Sequence, residues 1–593
     1  MNSGDSSASE KRKVDTLNFQ RQKMVDWFSP SQLAKTGLQA VVSSVFGNYA
    51  DKREMQAALS KNQNSLKPYD FSDREEIWLD YVSDLGSGWN STYSVAYLLG
   101  RNELNIQNFN GKDYNLKRGS ILVMGGDEVY PVATPEEYKN RLVGPYRSSL
   151  SSVNDPKKAP ALFAIPGNHD WYDGLSSFMK LFCQKRWMGG WRTQQERSYF
   201  AIKLPGNWWL WGIDIQLHAD IDKPQLDYFD EMFKLANKGD NVILCTAEPS
   251  WSYQEYQKDD KPYQNLKFFK NRYEKKGEKE LNFSLILAGD LHHYVSFKET
   301  NSDNPQWRIT AGGGGAFLHP THQIPDKLNF EDSVYEKSSA SPSKDESRKM
   351  AYKNLLFPFI NVRFGAFFGL VYMLFGWFLA SGNTGQLLNQ MASSGLSDLG
   401  VLIPSILISL IGSPGLAIFL ALIFFGILAL ADTNRKKPLS SWIAGIIHGI
   451  VQVMLLIAGV WLVAYLLVSL AGVNPSSAWG LIMFFAGLGV AGWLLNGFAM
   501  GIYLLACILI LKTHDTESFS SFRGEDYKSF VRMHVNSDGL TIYPITIPRA
   551  CRNWKEVEDK YEGEEPWFTP AEDEDFKYSL IEDPIKIRTK LKR

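Results

Sequence analysis

Ala161-Leu162-Phe163-Ala164-Ile165-Pro166-Gly167-Asn168-His169-Asp170 runs from an apolar stretch straight into an amide, an imidazole and a carboxylate. The first five residues read as a buried strand, and Pro166-Gly167 as its end. Two more stretches repeat this arrangement. Ile121–Met124 precedes Gly126-Asp127-Glu128-Val129-Tyr130-Pro131, and Leu285–Ala288 precedes Gly289-Asp290-Leu291-His292-His293. Ligand-type groups at the carboxyl ends of several strands stand where open α/β sheets build their sites. Oxygen and nitrogen donors converging there suit a pair of divalent metal ions engaged in phosphoryl chemistry.

Further strands are predicted at Tyr199–Leu204, Trp208–Ile215, Asn241–Cys245 and Trp307–Thr310, alternating with helical stretches such as Tyr228–Asn237. The fold class expected is α/β, a layered β-sandwich flanked by helices, over residues 61–327. Ahead of it, residues 1–16 lack core formers and read as disordered. Ser29–Ala50 reads as a helix with Leu33, Leu38, Val41, Val42 and Val45 on one stripe, capped by Ser29 before Pro30, or by Ser31. Together these make an N-terminal segment, 1–60.

The three motifs resemble the calcineurin-like metallophosphoesterase family, whose order is Asp-x-His, Gly-Asp, Gly-Asn-His-Asp/Glu, a lone His, then Gly-His-x-His. The resemblance covers roughly Glu75 to His322 and implies a binuclear metal site. It implies Asp127 as the bridging ligand, Asn168 as amide ligand of the second metal and His292 as ligand of the first. His169 matches the family's non-ligand His beside the phosphate or leaving oxygen, with Asp170 placed to orient it. Asp84, in Asp84-Leu85-Gly86, fits the first motif with Gly where the His belongs; a turn-forming Asp before glycines is the bland alternative. Asp80 reads as a helical salt-bridge or capping residue.

Two further departures follow. Asp290 replaces the first His of Gly-His-x-His, and Ala247 stands at the lone-His position with Glu248 beside it. The count is then Asp84, Asp127 and His292 for one metal, and Asp127, Asn168 and Asp290 for the other. Oxygen-rich donors favour Mn²⁺, or Mg²⁺, over Zn²⁺, with iron an alternative. His293, His319 and His322 are candidate replacements for the missing imidazoles. The run Gly312-Gly313-Gly314-Gly315 could cradle a phosphate oxygen or form a tight turn. Trp171, Trp187, Trp191, Trp208, Trp209 and Trp211 serve as core or as an apolar entrance.

Charge is balanced, 63 Lys+Arg against 64 Asp+Glu, so no global field points to nucleic acid. Cys183, Cys245, Cys507 and Cys551 show no metal or disulfide spacing, and Met1 to Asp15 has no apolar run of a signal peptide.

Residues 353–512 change character. Phe364–Ala380, Leu416–Ala431, Trp442–Ala471 and Trp479–Leu511 are apolar, and a hydrocarbon core needs about 20 residues per helix. Val401–Ile411 is short and reads as a half-helix, an interfacial piece or the first part of a kinked span. Arg348, Lys349 and Lys353 precede the first span, Arg435-Lys436-Lys437 lie between the second and third, and Lys512 follows the last. The remaining loops carry no Lys or Arg. An all-α bundle of four spans puts every basic loop on one face, so the expectation is an inner or plasma membrane protein with catalytic domain and tail cytoplasmic. His448 and Gln452 share a face of the third span, either as an interhelical hydrogen bond or as part of a pathway or headgroup site.

Residues 328–352 read as a linker and 513–593 as a cytoplasmic tail, with a helix at Asp526–Met533, an edge strand at Leu540–Ile547 and exposed chain from Glu556. The function expected is hydrolysis of a phosphomonoester or phosphodiester, on a small-molecule or lipid-linked substrate, by metal-activated water. The alternative is a weakened domain that senses a phosphate ligand and regulates its bundle.

Overall fold

A computed structural model describes residues 18–35, 37 and 67–588, apart from 216–220, 254–260, 275–278, 301, 303, 331–332, 382–384, 434–435, 437, 475–476 and 558–563. The disorder expected at residues 1–16 and the helix expected beyond residue 37 lie outside the described residues. At residues 30–35 the helix begins as expected, and Gln32 N–H donates to Ser29 Oγ at 3.3 Å.

The strand calls follow the period-2 logic of buried sheets. Strands β1 (Ile77–Val82), β2 (Ile121–Met124) and β3 (Ala161–Ala164) pair in parallel. Strands β4 (Phe200–Leu204), β5 (Trp208–Gly212), β6 (Asn241–Thr246), β7 (Asn282–Ala288), β8 (Tyr294–Glu299) and β9 (Trp307–Ala311) form most of a second sheet, in which β5, β6, β7 and β9 run parallel. Alternate side chains of each strand face opposite layers. Leu79, Tyr81, Val123 and Phe163 meet Ile202, Ile243, Leu285 and Ile309 in a core between the sheets. Val82, Leu122 and Leu162 face an outer layer with α1 (Trp89–Gly100), while Trp211, Leu244 and Ile286 face α2 (Lys223–Leu235). Strands apolar on both faces are buried on both faces, as parallel sheets require.

The expected boundaries need correction. Residues 328–352 are not a linker: β10 (Lys327–Phe330) and β11 (Ser333–Ser341) extend the second sheet, and α3 (Lys344–Ala351) follows under a Ser343/Glu346 capping box.

Among the described residues, three helices are long and apolar enough to cross a membrane: Val362–Ala380 (α4), Leu439–Leu470, which opens with α7 (Leu439–Tyr465), and Ala478–Leu511, which opens with α8 (Ala478–Ala506). Between them α5 (Leu399–Gly412) and α6 (Pro414–Leu428) bend by 102° at Ser413, where Pro414 cannot continue the preceding helix. α4 packs on α8 through glycine: a Cβ on Gly369 would meet the Gly489 carbonyl at 2.8 Å. The His448–Gln452 pair is formed, with ring and amide nitrogens 3.4 Å apart, and His448 also stacks on Tyr503 of α8 at 4.0 Å.

Residues 513–593 are not a separate tail. In place of the expected helix, β12 (Lys528–Asn536) inserts antiparallel against β1, because Val531, Met533 and Val535 alternate into the inter-sheet core. Next to it lies β13 (Gly539–Ile547), and its Pro544 carbonyl accepts Ile581 N–H. Further out, Ser579–Leu580 and Ile585–Arg588 pair with β13, so it is not the edge, and Trp567 and Phe568 are buried rather than exposed. Asp80 is not helical; it sits buried in β1 and holds Arg532 of β12.

Candidate active site

The carboxyl ends of both sheets meet at one edge. Asp84 N–H donates to the Gly126 carbonyl at 3.0 Å, Gly289 N–H to the Ala247 carbonyl at 3.0 Å and Ala316 N–H to the Asp84 carbonyl at 2.9 Å. Asp84, Asp127 and Asp290 all take left-handed backbone conformations, with φ of 60°, 52° and 65°. Such conformations are costly for non-glycine residues and collect at functional sites. Space for the carboxylates comes from glycine: a Cβ on Gly167 would lie 2.1 Å from Asp127 Oδ1, and one on Gly289 would lie 2.7 Å from Asp84 Oδ2.

Three predicted ligands converge on a residue the sequence reading passed over. The Tyr130 hydroxyl lies 2.9 Å from Asp84 Oδ1, 3.1 Å from Asp127 Oδ2 and 2.9 Å from His292 Nε2. His292 Nδ1 faces the Phe317 carbonyl at 2.7 Å, so Nδ1–H donates there and Nε2 presents its lone pair to the cluster. One phenol proton therefore serves three acceptors. Donors about 3 Å apart are what neighbouring positions of an octahedral shell require at about 2.1 Å from an ion. Among the described residues no group of three His, Cys, Asp or Glu side chains is disposed to hold an ion. The Tyr130 hydroxyl sits among Asp84, Asp127 and His292 as their shared hydrogen-bond partner.

The second expected set is more open. Asn168 Oδ1 is buried with no hydrogen-bond partner. Asp127 Oδ1 accepts His169 N–H at 2.9 Å, Asp290 N–H donates to Asp84 Oδ2 at 2.9 Å, and the Tyr253 hydroxyl donates to Asp290. Burial pushes the Asp84 carboxyl up to about 7 and Asp290 up to about 6, and burial with neighbouring carboxylates pushes Asp127 well up. A dry cluster of carboxylates calls for cations. The donor chemistry and the orphaned amide oxygen fit a pair of divalent ions.

His169 is brought to this cluster by its turn of helix, and its Nδ1 faces the Pro131 carbonyl at 2.8 Å, leaving Nε2 for the cavity. Asp170 does not orient it. Instead Asp170 accepts N–H from Gly167 at 2.9 Å and from Glu128 at 3.2 Å, and the Tyr138 hydroxyl, tying together the two motif loops. Burial lowers the His169 pKa, so the neutral ring is favoured.

Other candidates fall away. Glu248 does not line the cavity. His293 and His322 line a neighbouring cavity, and His319 stacks on His292 at 4.2 Å between the two. The glycine run is no phosphate cradle: Gly312 N–H donates to the His293 carbonyl and Gly314 N–H to that of Ser83. Trp171 and Trp191 pack in the outer layer with α1, Trp208 lies in the core between the sheets, Trp209 and Trp211 face α2, Trp187 is exposed, and none lines the site.

Asp127, Asn168, His169, Asp290 and His292 open into a cavity of about 620 Å³. Its far wall is the bundle: Ala429 to Asp432, then Met500, Tyr503 and Leu504. Trp27, which no motif flagged, stands edge-on to Tyr130, His169 and Phe317 with ring centroids 6.3, 5.9 and 6.0 Å away.

No family model and no curated protein sequence matches the chain. Among solved structures, GAP50, the anchor in the inner membrane complex of Plasmodium, is similar at 13% identity and a TM-score of 0.31, over 44% of this chain and 78% of that one.

Proposed function

We propose that the protein is a membrane-anchored, metal-dependent phosphoesterase that hydrolyses a phosphate ester presented at the membrane surface. The observation that carries this reading is the cavity itself, with carboxylates, amide and imidazole on one side and the ends of apolar helices on the other. A soluble ester would need no such wall. A lipid-linked ester would lay its phosphate against the polar side and its chains against Met500 and Leu504.

Two divalent cations, Mn²⁺ or Mg²⁺ before Zn²⁺ or iron, would supply Lewis-acid polarisation of the phosphate and a water nucleophile. Asp84, Asp127, Tyr130 and His292 would hold one, and Asp127, Asn168 and Asp290 the other. His169, its ring fixed through Pro131, carries Nε2 toward the cavity, where the protonated ring would give a proton to the leaving oxygen and the neutral ring would take one from water.

Four spans are supported by parity. β12 and β13 share a sheet with β1, so both soluble parts lie on one side and the crossings between them are even in number. Three long helices plus the bent α5–α6 pair as one span meet that condition. His514, after the last span, accepts Asp432 N–H at 3.4 Å, which brings the end of the bent pair back to the same side. Clustering of the basic loops there favours a cytoplasmic face.

Metal content of purified full-length protein and of Asp127→Asn, by mass spectrometry, tests the reading, beside hydrolysis of para-nitrophenyl phosphate and of phosphatidic acid in vesicles. About two ions per chain, lost together with hydrolysis in the variant, is the expected result. A protein that binds no ion after Mn²⁺ loading overturns it. Ala247 and Gly86, which offer no donor where the family has imidazoles, favour the sensor as second reading; phosphate binding without turnover in metal-loaded wild type would select it.

A further inference from the structure

A second cavity, of about 370 Å³, lies beside the first and shares His319, Leu291 and Asp515 with it as a common wall. His293 is 2% exposed, and its ring has no well-formed hydrogen bond, only an approach to the His319 backbone. His319 is 6% exposed; its Nδ1 accepts His292 N–H at 3.1 Å, while Nε2 has no partner. His322 is held by Ser347, with Nδ1 and Oγ 2.8 Å apart, and its Nε2 is likewise unpartnered. A buried N–H with no acceptor costs free energy, so unpartnered imidazoles around a cavity call for a ligand.

The chemistry of that ligand follows from the lining. Each neutral imidazole offers one N–H and one lone pair. Lys344 and Lys512 stand on the wall, exposed. Of the two acidic residues present, Asp326 is already paired with Lys337 at 2.6 Å, leaving Asp515 against two lysines.

We infer that this cavity is a second, non-catalytic site for an oxyanion of the phosphate-monoester class, with His293 and His319 as buried partners and Lys344 and Lys512 as the charges that draw it in. Phosphate oxygens accept the imidazole N–H groups, and a phosphate hydroxyl donates to a ring lone pair. Lys512 directly follows the last apolar helix, so the anion can arrive either as free phosphate or as a phosphorylated lipid headgroup.

The test uses full-length Asp127→Asn protein in detergent, so that the catalytic cluster is altered in every sample. Equilibrium dialysis with radiolabelled inorganic phosphate is expected to give saturable binding. Lys344→Ala/Lys512→Ala and His293→Phe should each weaken it by about tenfold or more, the loss expected for a charge-assisted contact. The lysine pair is exposed, so that variant keeps the test valid even where His293→Phe fails to fold. Nanodiscs with phosphatidic acid that displace the label, when phosphatidylcholine nanodiscs do not, assign the site to a lipid headgroup; no displacement by either assigns it to free phosphate. Absence of saturable binding, or equal affinity in the lysine variant, overturns the proposal and leaves a water-filled cavity. Neither result depends on the metal content that decides the hydrolase reading.

Discussion

Arg532 and Asp80, 452 residues apart in sequence, form a buried two-pronged ion pair: Nε to Oδ1 at 2.6 Å and the second guanidinium nitrogen to Oδ2 at 3.0 Å. It ties β12 to β1, the strand that delivers Asp84 to the site. Arg532 also donates to the Leu116 carbonyl at 3.0 Å, and Asp80 accepts Gly119 N–H at 3.0 Å, so both partners are otherwise satisfied.

Removing one partner leaves a buried charge. Arg532→Ala is expected to lose about 3–5 kcal/mol, whereas the apolar double variant Asp80→Leu/Arg532→Met loses much less. Thermal melting of full-length protein in detergent distinguishes the two. Equal loss in single and double variants would show that β12 is held by packing alone.

Tyr130→Phe removes the oxygen shared by Asp84, Asp127 and His292. If the phenol belongs to the ligand shell, metal affinity falls by about tenfold or more while the fold survives, since the ring stays in place. Competition with a chelator of known affinity reads this. Unchanged affinity would reduce Tyr130 to a hydrogen-bonding neighbour.

Under the proposed function, protons and metal ions would compete for the same carboxylates. Asp84 is raised to about 7 and Asp290 to about 6 by burial, so the metal-free fold holds protons that the unfolded chain releases near pH 4. Stability from these groups is present below about pH 4 and is lost as pH rises to about 7. Metal-free protein should therefore melt at lower temperature at pH 7 than at pH 5, and bound metal should cancel or reverse the trend. Parallel pH profiles with and without metal would contradict the assignment.

Asp26 anchors the segment that carries Trp27, through Arg523 at 2.6 Å, with Arg363 4.0 Å away, while Phe28 packs on Phe357 with centroids 5.0 Å apart. A partly buried pair of this kind is worth about 1 kcal/mol, so Asp26→Ala should raise the detached population about fivefold. Limited trypsin cleavage at Arg21 and Lys23 measures it. No acceleration would mean that the aromatic contacts suffice to hold the segment.

Much of the site was legible because its pieces are local. An apolar run, a glycine and a polar group within about ten residues announce strand, turn and an exposed polar group, and this singles out Asp127, Asn168, Asp290 and His292 as candidates. Tyr130 was missed although it lies three residues after Asp127, since only the folded loop turns its hydroxyl back onto the carboxylate. Asp170 was given the wrong task for a related reason. Adjacent in sequence to His169, its carboxylate points to the N–H groups of Gly167 and Glu128.

The strands β2 to β7 and β9, the motif loops and the apolar helices are readable from local pattern, because period, composition and turn chemistry act within a few residues, whereas β1, β8 and β10 to β12 are not. It takes the folded chain to show that the segment beyond the bundle returns to complete the first sheet, that Trp27 stands against Tyr130 and His169 and that the cavity opens against Met500 and Leu504. Those contacts join segments hundreds of residues apart. Their free energy comes from burying faces against one another, and no local pattern records which face will meet which.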